Sequence, residues 1–174
     1  DLENLMTADL KRVHHFLQNT IADPLTAPEA ARMAESIRAV FNTNAQVLRF
    51  LPDTGEPFSI RDWITGEKQP GSILFITSNY VDLPMNRALL TLWMDLAINR
   101  LMTMPRTREL RTWFMFDELG ALHKLPAIEN GLQTARAFGG AMILGIHSFE
   151  KLIEVYGEQG ARNLASLARS KLIL

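Results

Sequence analysis

Four consecutive apolar side chains, Trp113-Phe114-Met115-Phe116, run directly into two adjacent carboxylates, Asp117-Glu118. A strand covered on both faces can be apolar at every position, and charge is tolerated only where the strand emerges. In open α/β sheets the carboxyl end of a strand is also where ligands bind. Two acids at that place suit nucleotide hydrolysis. A strand-end Asp holds Mg2+ through ordered water, because magnesium keeps its octahedral shell, and the following Glu orients or deprotonates the attacking water. The same pair also suits a helix start, with Asp117 as the cap and Glu118 in the first turn, where negative charge matches the helix dipole. Asp117-Glu118 alone leaves both readings open.

The following residues add a second unit of the same kind. Gly120 to Pro126 reads as a loop leading into a helix over Pro126–Phe138, with Pro at its start and Gly139-Gly140 as its stop. Ala141-Met142-Ile143-Leu144-Gly145-Ile146 reads as another buried strand, ending in polar His147-Ser148 at the same carboxyl edge.

These stretches carry a family resemblance. Trp113-Phe114-Met115-Phe116-Asp117-Glu118-Leu119, Lys124-Leu125-Pro126, Ala135-Arg136-Ala137-Phe138-Gly139-Gly140, Gly145-Ile146-His147-Ser148 and Glu154-Val155-Tyr156-Gly157 together resemble the conjugative coupling proteins of type IV secretion, the TraD/TraG kind. Those proteins are similar to the FtsK-HerA motor ATPases. The resemblance runs from about residue 10 to the end and includes Phe58-Ser59-Ile60-Arg61-Asp62-Trp63, where the family passes from an all-α domain back into its motor domain. It implies a hexameric, ATP- and Mg2+-dependent DNA translocase at the cytoplasmic face of the inner membrane. Its implied partners are DNA, a relaxase or relaxosome, and components of the secretion channel.

Carried over by residue, the resemblance puts the Walker B acids on Asp117 and Glu118 and an arginine finger, acting on a neighbouring subunit's nucleotide, on Arg136. An arginine supplied in trans can raise the rate by about 10³ to 10⁵. A cation near a helix end is equally favoured by the dipole without any catalysis. The family's sensor, usually Gln, falls on His147. Histidine donates one hydrogen bond to a phosphate as Gln does, but its charge changes near neutral pH.

A phosphate-gripping motor also needs Gly-x-x-x-x-Gly-Lys-Ser/Thr, whose backbone amides and ammonium cradle the phosphates. No such run occurs in the sequence. In the family that loop precedes the all-α insertion, so the expectation is a fragment whose phosphate-binding loop and membrane anchor lie upstream of Asp1. The ends agree with it: the chain opens without Met in a helical pattern and stops at Lys171-Leu172-Ile173-Leu174, which reads as the first half of a buried strand.

The elements that position these residues follow from periodicity. Leu2, Leu5, Met6, Val13 and Leu17 repeat at helical spacing. Thr26 and Glu29 have capping-box spacing before a helix bearing Ala30, Met33, Ile37, Val40, Phe41 and Leu48. On the first helix, Lys11, Arg12, His14 and His15 form a short basic cluster. It reads first as a solvated face and second as a contact for DNA phosphates or a relaxase. Pro52 to Pro57 is the clearest break. After it, expected strands at Ser72–Thr77, Trp113–Phe116, Ala141–Ile146 and the terminus alternate with helices at Pro84–Met104, Pro126–Phe138, Phe149–Tyr156 and Glu158–Arg169. In the long helix, Leu89, Trp93, Leu96 and Leu101 form one stripe and Leu90, Met94 and Ile98 another, which predicts burial on more than one face.

The expected fold is thus α/β: a parallel sheet flanked by helices, part of a RecA-like P-loop NTPase over residues 58–174, preceded by part of an all-α domain over 1–57. With 174 residues, 47% of them hydrophobic, the chain is long enough to bury a core. A net charge of −1 means that any DNA contact must be local. The lack of cysteine excludes disulfides and thiolate metal sites, and the four histidines, without acids at ligand spacing, do not suggest zinc. No apolar run approaches the roughly 18 residues that a membrane span needs, so the segment itself is expected to be soluble. Two other readings of the acids are a non-catalytic α/β interaction module in which the pair is structural, and a non-motor P-loop ATPase sharing only this strand.

Overall fold

The computed structural model describes residues 19, 30–51, 55–66 and 71–173. The chain divides into two compact units, Asp1–Asp53 and Thr54–Leu174. Lys11, Arg12, His14, His15 and the Thr26/Glu29 capping pair lie outside the described residues.

In the first unit, helix α1 spans Ala31–Ala45 and continues as a 3-10 turn over Gln46–Phe50. Ser36, Thr43 and Asn44 disfavour helix interiors when they compete for backbone groups. Here each bonds back to the carbonyl four residues earlier, at 2.9–3.0 Å. Ala45 and Val47 are buried, while the expected apolar stripe of Met33, Ile37, Val40 and Phe41 is exposed.

The second unit opens with α2, Ile60–Thr65, whose start is fixed by the Ser59 hydroxyl accepting from Asp62 N at 3.2 Å. Helix α3, Leu83–Met102, has Pro84 in its first turn, where a missing N–H costs nothing. Strand β1 is Thr107–Phe116, α4 is Ile128–Thr134, β2 is Phe138–Leu144 and α5 is Phe149–Leu167. The two strands pair in parallel, Thr112 opposite Gly140 through Phe116 opposite Leu144, with an irregularity between Thr107 and Thr112. Parallel neighbours need a crossover, and α4 supplies it.

The core lies on one face of this pair. Ile98 and Leu101 of α3, Leu119 and Leu125 of the loop after β1, Ile128 of α4 and Leu152 and Leu164 of α5 are essentially inaccessible, and Phe114 and Phe116 pack into the same cluster. Helix α3 buries residues around much of its circumference, as its apolar pattern predicts, although Leu92 and Leu96 face outward.

Several expected elements differ. The apolar run of β1 was expected to be covered on both faces. Instead Thr112, Phe114 and Phe116 are buried while Trp113 and Met115 are 55% and 68% exposed, the period of two of a strand whose packing helices sit on one side. Ser72–Thr77 and Lys171–Ile173 form no strand among the described residues, and Ile73, Phe75, Leu172 and Ile173 are exposed. The helix before β2 is shorter than expected and ends in a 3-10 turn, Ala135–Ala137. Gly139 and Gly140 therefore lie inside β2. Gly139 has φ +79°, open to glycine, and a Cβ there would meet the Arg111 and Thr107 side chains. The expected division of the last helix is present as a break at Gly157, φ +74° and ψ 163°.

Candidate functional site

The pairing of β1 and β2 continues past the strands. Gly145 N donates to Phe116 O at 2.6 Å and Leu119 N donates to Gly145 O at 2.9 Å, so the segment 117–119 runs beside 145–147 at the carboxyl end of the sheet. The approach is close enough that Gly145 has no room for a side chain: a Cβ would fall 2.8 Å from Phe116 O and nearer still to the carbonyl oxygen of Asp117.

This juxtaposition brings Asp117, Glu118 and His147 together. Glu118 Oε1 accepts from Gly120 N at 2.7 Å, and Oε2 accepts from His147 N at 2.8 Å. The carboxylate therefore ties the end of β1 to the end of β2. The His147 imidazole is 85% exposed, with Nε2 3.8 Å from Glu118 Oε2, beyond direct hydrogen-bonding distance. Asp117 is exposed, and among the described residues its carboxylate has no hydrogen bond or ion pair. It has the availability that a metal-water ligand requires.

The loop after the acids is held by a device that periodicity did not suggest. Arg87 Nη2 donates to Leu122 O at 2.7 Å and to Gly120 O at 3.3 Å. Thr91 Oγ1 donates to Arg87 O at 2.7 Å and accepts from His123 N at 3.0 Å. Asp95 Oδ1 accepts from Ala127 N at 2.8 Å, and Oδ2 accepts from Asn99 Nδ2 at 2.9 Å. From the other side, the buried Tyr156 hydroxyl accepts from Leu125 N at 3.3 Å, and burial raises its pKa. An open cleft of about 430 Å³ lies beside this loop, lined by Arg87, His123, Lys124, Glu154 and Val155. Partial burial, then the Arg87 charge, lowers the pKa of His123. The Glu154 carboxyl is lowered by its 2.8 Å hydrogen bond from Lys151 and by that ammonium's charge. Polar residues every fourth position in α3 were the available signal.

Arg136 is not brought to this site. It is exposed in the 3-10 turn Ala135–Ala137, immediately before the amino end of β2. The seven residues Phe138–Leu144 separate that turn from the carboxyl edge, about 20 Å at roughly 3.3 Å per residue. Within one chain the guanidinium cannot serve Asp117 and Glu118. A second cavity, about 440 Å³, opens at this end beside Arg106, Gln133 and Phe138.

Among the described residues no helix is long and apolar enough to cross a membrane, and no three His, Cys, Asp or Glu side chains gather in a way that could hold a metal ion.

The fold and this edge have counterparts among known proteins. The coupling protein TraD of Escherichia coli (strain K12) is 35% identical over 175 residues, covering 98% of this chain and 24% of TraD, so the chain spans about a quarter of that relative's length. The solved structure of plasmid coupling protein TrwB in complex with ADP and Mg2+ has a TM-score of 0.82 at 31% identity, over 97% of this chain and 41% of that one. TrwB in complex with the non-hydrolysable ATP analogue ADPNP gives the same TM-score, identity and coverage. The α/β fold, a parallel pair flanked by helices, is thus that of a RecA-like coupling-protein domain. A family model described as the type IV secretion-system coupling protein DNA-binding domain matches residues 1–174, the whole length, and with the identity to TraD this shows that the chain belongs to the type IV secretion coupling proteins.

Proposed function

We propose that this chain is the later part of the ATP-driven motor of a conjugative coupling protein, which moves DNA toward a type IV secretion channel. The observation that carries the reading is an Asp117 without a partner among the described residues, at the carboxyl edge of a parallel sheet, beside a Glu118 whose carboxylate is fixed by backbone amides from both strand ends.

Asp117 is the Mg2+ ligand, through ordered water. Magnesium uses one or two carboxylates together with phosphates and water, so a single free Asp fits it without a three-ligand protein cage. When bound, the ion would neutralise negative charge that develops on the phosphates. TrwB, solved with ADP and Mg2+, supports this assignment. Glu118 orients the attacking water: a carboxylate has about four lone-pair sites, and the two backbone amides leave the others available while holding the group still. His147 lends its backbone N–H to Glu118, which leaves its exposed imidazole available to sense phosphate. Arg136, remote from its own chain's acids, completes the site of the next subunit in a head-to-tail hexameric ring. The phosphate cradle and the inner-membrane anchor belong to other parts of the polypeptide, and the relaxosome presents the DNA.

Asp117→Asn gives the cleanest test, because that carboxylate holds nothing in place. In the full polypeptide the variant is expected to keep its melting temperature and lose Mg2+-dependent hydrolysis; unchanged turnover would reject the reading. Glu118→Gln is less clean. An amide presents one acceptor where two N–H groups need one each, so a loss of about 1–3 kcal/mol of stability accompanies any loss of turnover. The double backbone tie is also what a purely structural Asp-Glu pair would make, and a fully active Asp117→Asn would favour that alternative.

A further inference from the structure

We propose that Arg87 is a positioning residue for hydrolysis, setting the Glu118 carboxylate through Gly120. The proposal rests on the assignment of Asp117 and Glu118 as the hydrolytic acids. Arg87, Thr91 and Asp95 recur every fourth residue and so share one face of α3. A solvated stripe would use its polar atoms on water and on facing charges. This one directs them to the main chain of residues 120–127: Arg87 to two carbonyls, Thr91 to His123 N and Asp95 to Ala127 N.

Gly120 is the shared element. Its carbonyl accepts from Arg87 at 3.3 Å, and its N–H donates to Glu118 Oε1 at 2.7 Å. It packs directly against the carboxylate as well, since a Cβ on it would lie 2.8 Å from Glu118 Oε1 and 2.8 Å from Lys151 Cγ. One of the two bonds that orient Glu118 thus starts from a residue whose place Arg87 helps to fix. Gly120 and Leu122 are both buried, so their carbonyls have little water to turn to when the guanidinium is gone. Thr91 and Asp95 still hold the loop further along, which confines the disturbance to the residues next to the acid.

The test is steady-state ATP hydrolysis and thermal melting of the full polypeptide carrying Arg87→Met, Arg87→Lys or Gly120→Ala. A displacement approaching 1 Å near the reacting water lowers kcat by about 10- to 100-fold. That loss is expected for Arg87→Met, with KM for ATP little changed, because nothing that grips nucleotide is removed; the two buried carbonyls left without their donor lower the melting temperature, so kcat is read well below that transition. Arg87→Lys, which can still reach one carbonyl, is expected to recover part of it. Wild-type kcat in Arg87→Met, or a loss that Lys does not recover, overturns the proposal. Should Arg87→Met not fold, Gly120→Ala decides: with Arg87 intact it lowers kcat if the glycine sets the carboxylate, and normal kcat overturns the idea. Asp117→Asn is assayed alongside. Its turnover rejects the assignment of the acids, whereas an inactive Asp117→Asn beside a fully active Arg87→Met rejects only the positioning role.

Discussion

Gly145→Ala places a methyl group where the two strand ends touch. The torsions of Gly145 are open to any residue, since its φ is not positive, so the contact is the whole effect. A Cβ would lie 2.8 Å from Phe116 O and nearer still to the Asp117 carbonyl oxygen, where ordinary contact begins at 3.4 Å, so segments 117–119 and 145–147 must part by well over about 0.6 Å. Three bonds cross that gap: Gly145 N to Phe116 O, Leu119 N to Gly145 O, and His147 N to Glu118 Oε2. Overpacking of this kind costs about 1–3 kcal/mol, and a shift of such size at reacting groups costs up to about 10²-fold in rate. Chemical denaturation of the chain reads the first quantity, and ATP turnover in the full polypeptide reads the second. A Gly145→Ala protein with wild-type denaturation midpoint and turnover would refute the claim that strand-end contact holds the acids in place.

Four other expectations follow from individual contacts. Tyr156→Phe leaves Leu125 N without its acceptor in a buried setting, and urea denaturation is expected to show a loss of about 1–3 kcal/mol. Asp95→Ala removes the acceptor from Ala127 N, just ahead of α4, for about 1 kcal/mol, the usual worth of a helix cap, read the same way. His123 has a folded pKa below its ordinary 6.5, so the unfolded chain takes up the proton first; its contribution is fully present above pH 6.5 and lost as pH falls through the lowered value. His123→Asn is expected to flatten that part of the stability–pH curve. Mixing Arg136→Ala with Glu118→Gln subunits is expected to restore some hydrolysis, because mixed rings contain interfaces with an intact arginine facing an intact acid; no recovery from folded, assembled mixtures would reject the trans role.

What could be read in the sequence was whatever is local. An unbroken apolar run ending in acids marked β1 and its carboxyl end, the run before His147 marked β2, and Gly157 marked the break in α5. Boundaries blurred where a different force set them. Thr107 to Arg111 carries three charges, yet Thr107 pairs with Phe138 and the strand continues across the irregularity to Thr112. Gly139-Gly140 has the composition of a helix stop, yet it belongs to the strand that the helix meets. Ser72–Thr77 and the terminus have strand-like composition, but composition cannot supply a pairing partner. The polar stripe of α3 stayed hidden because its partners are over thirty residues away, and side chains four apart on a helix ordinarily signify solvent. Both bonds of Glu118 were hidden for a different reason: their donors are main-chain amides, which no residue type announces.

The outward side of β1 also makes the protein legible by light. Of the three tryptophans, Trp63 and Trp93 are half-buried while Trp113 is the exposed one, on the strand that ends at Asp117. Phe114 and Phe116, alternating with it, are seated in the core, so the indole is carried on a rigid backbone. Its emission therefore lies to the red of the other two and is the first to be quenched by a soluble collisional quencher. With Trp63 and Trp93 replaced by Phe, a native fluorophore remains four residues from Asp117, reporting the polarity around that strand without any attached dye.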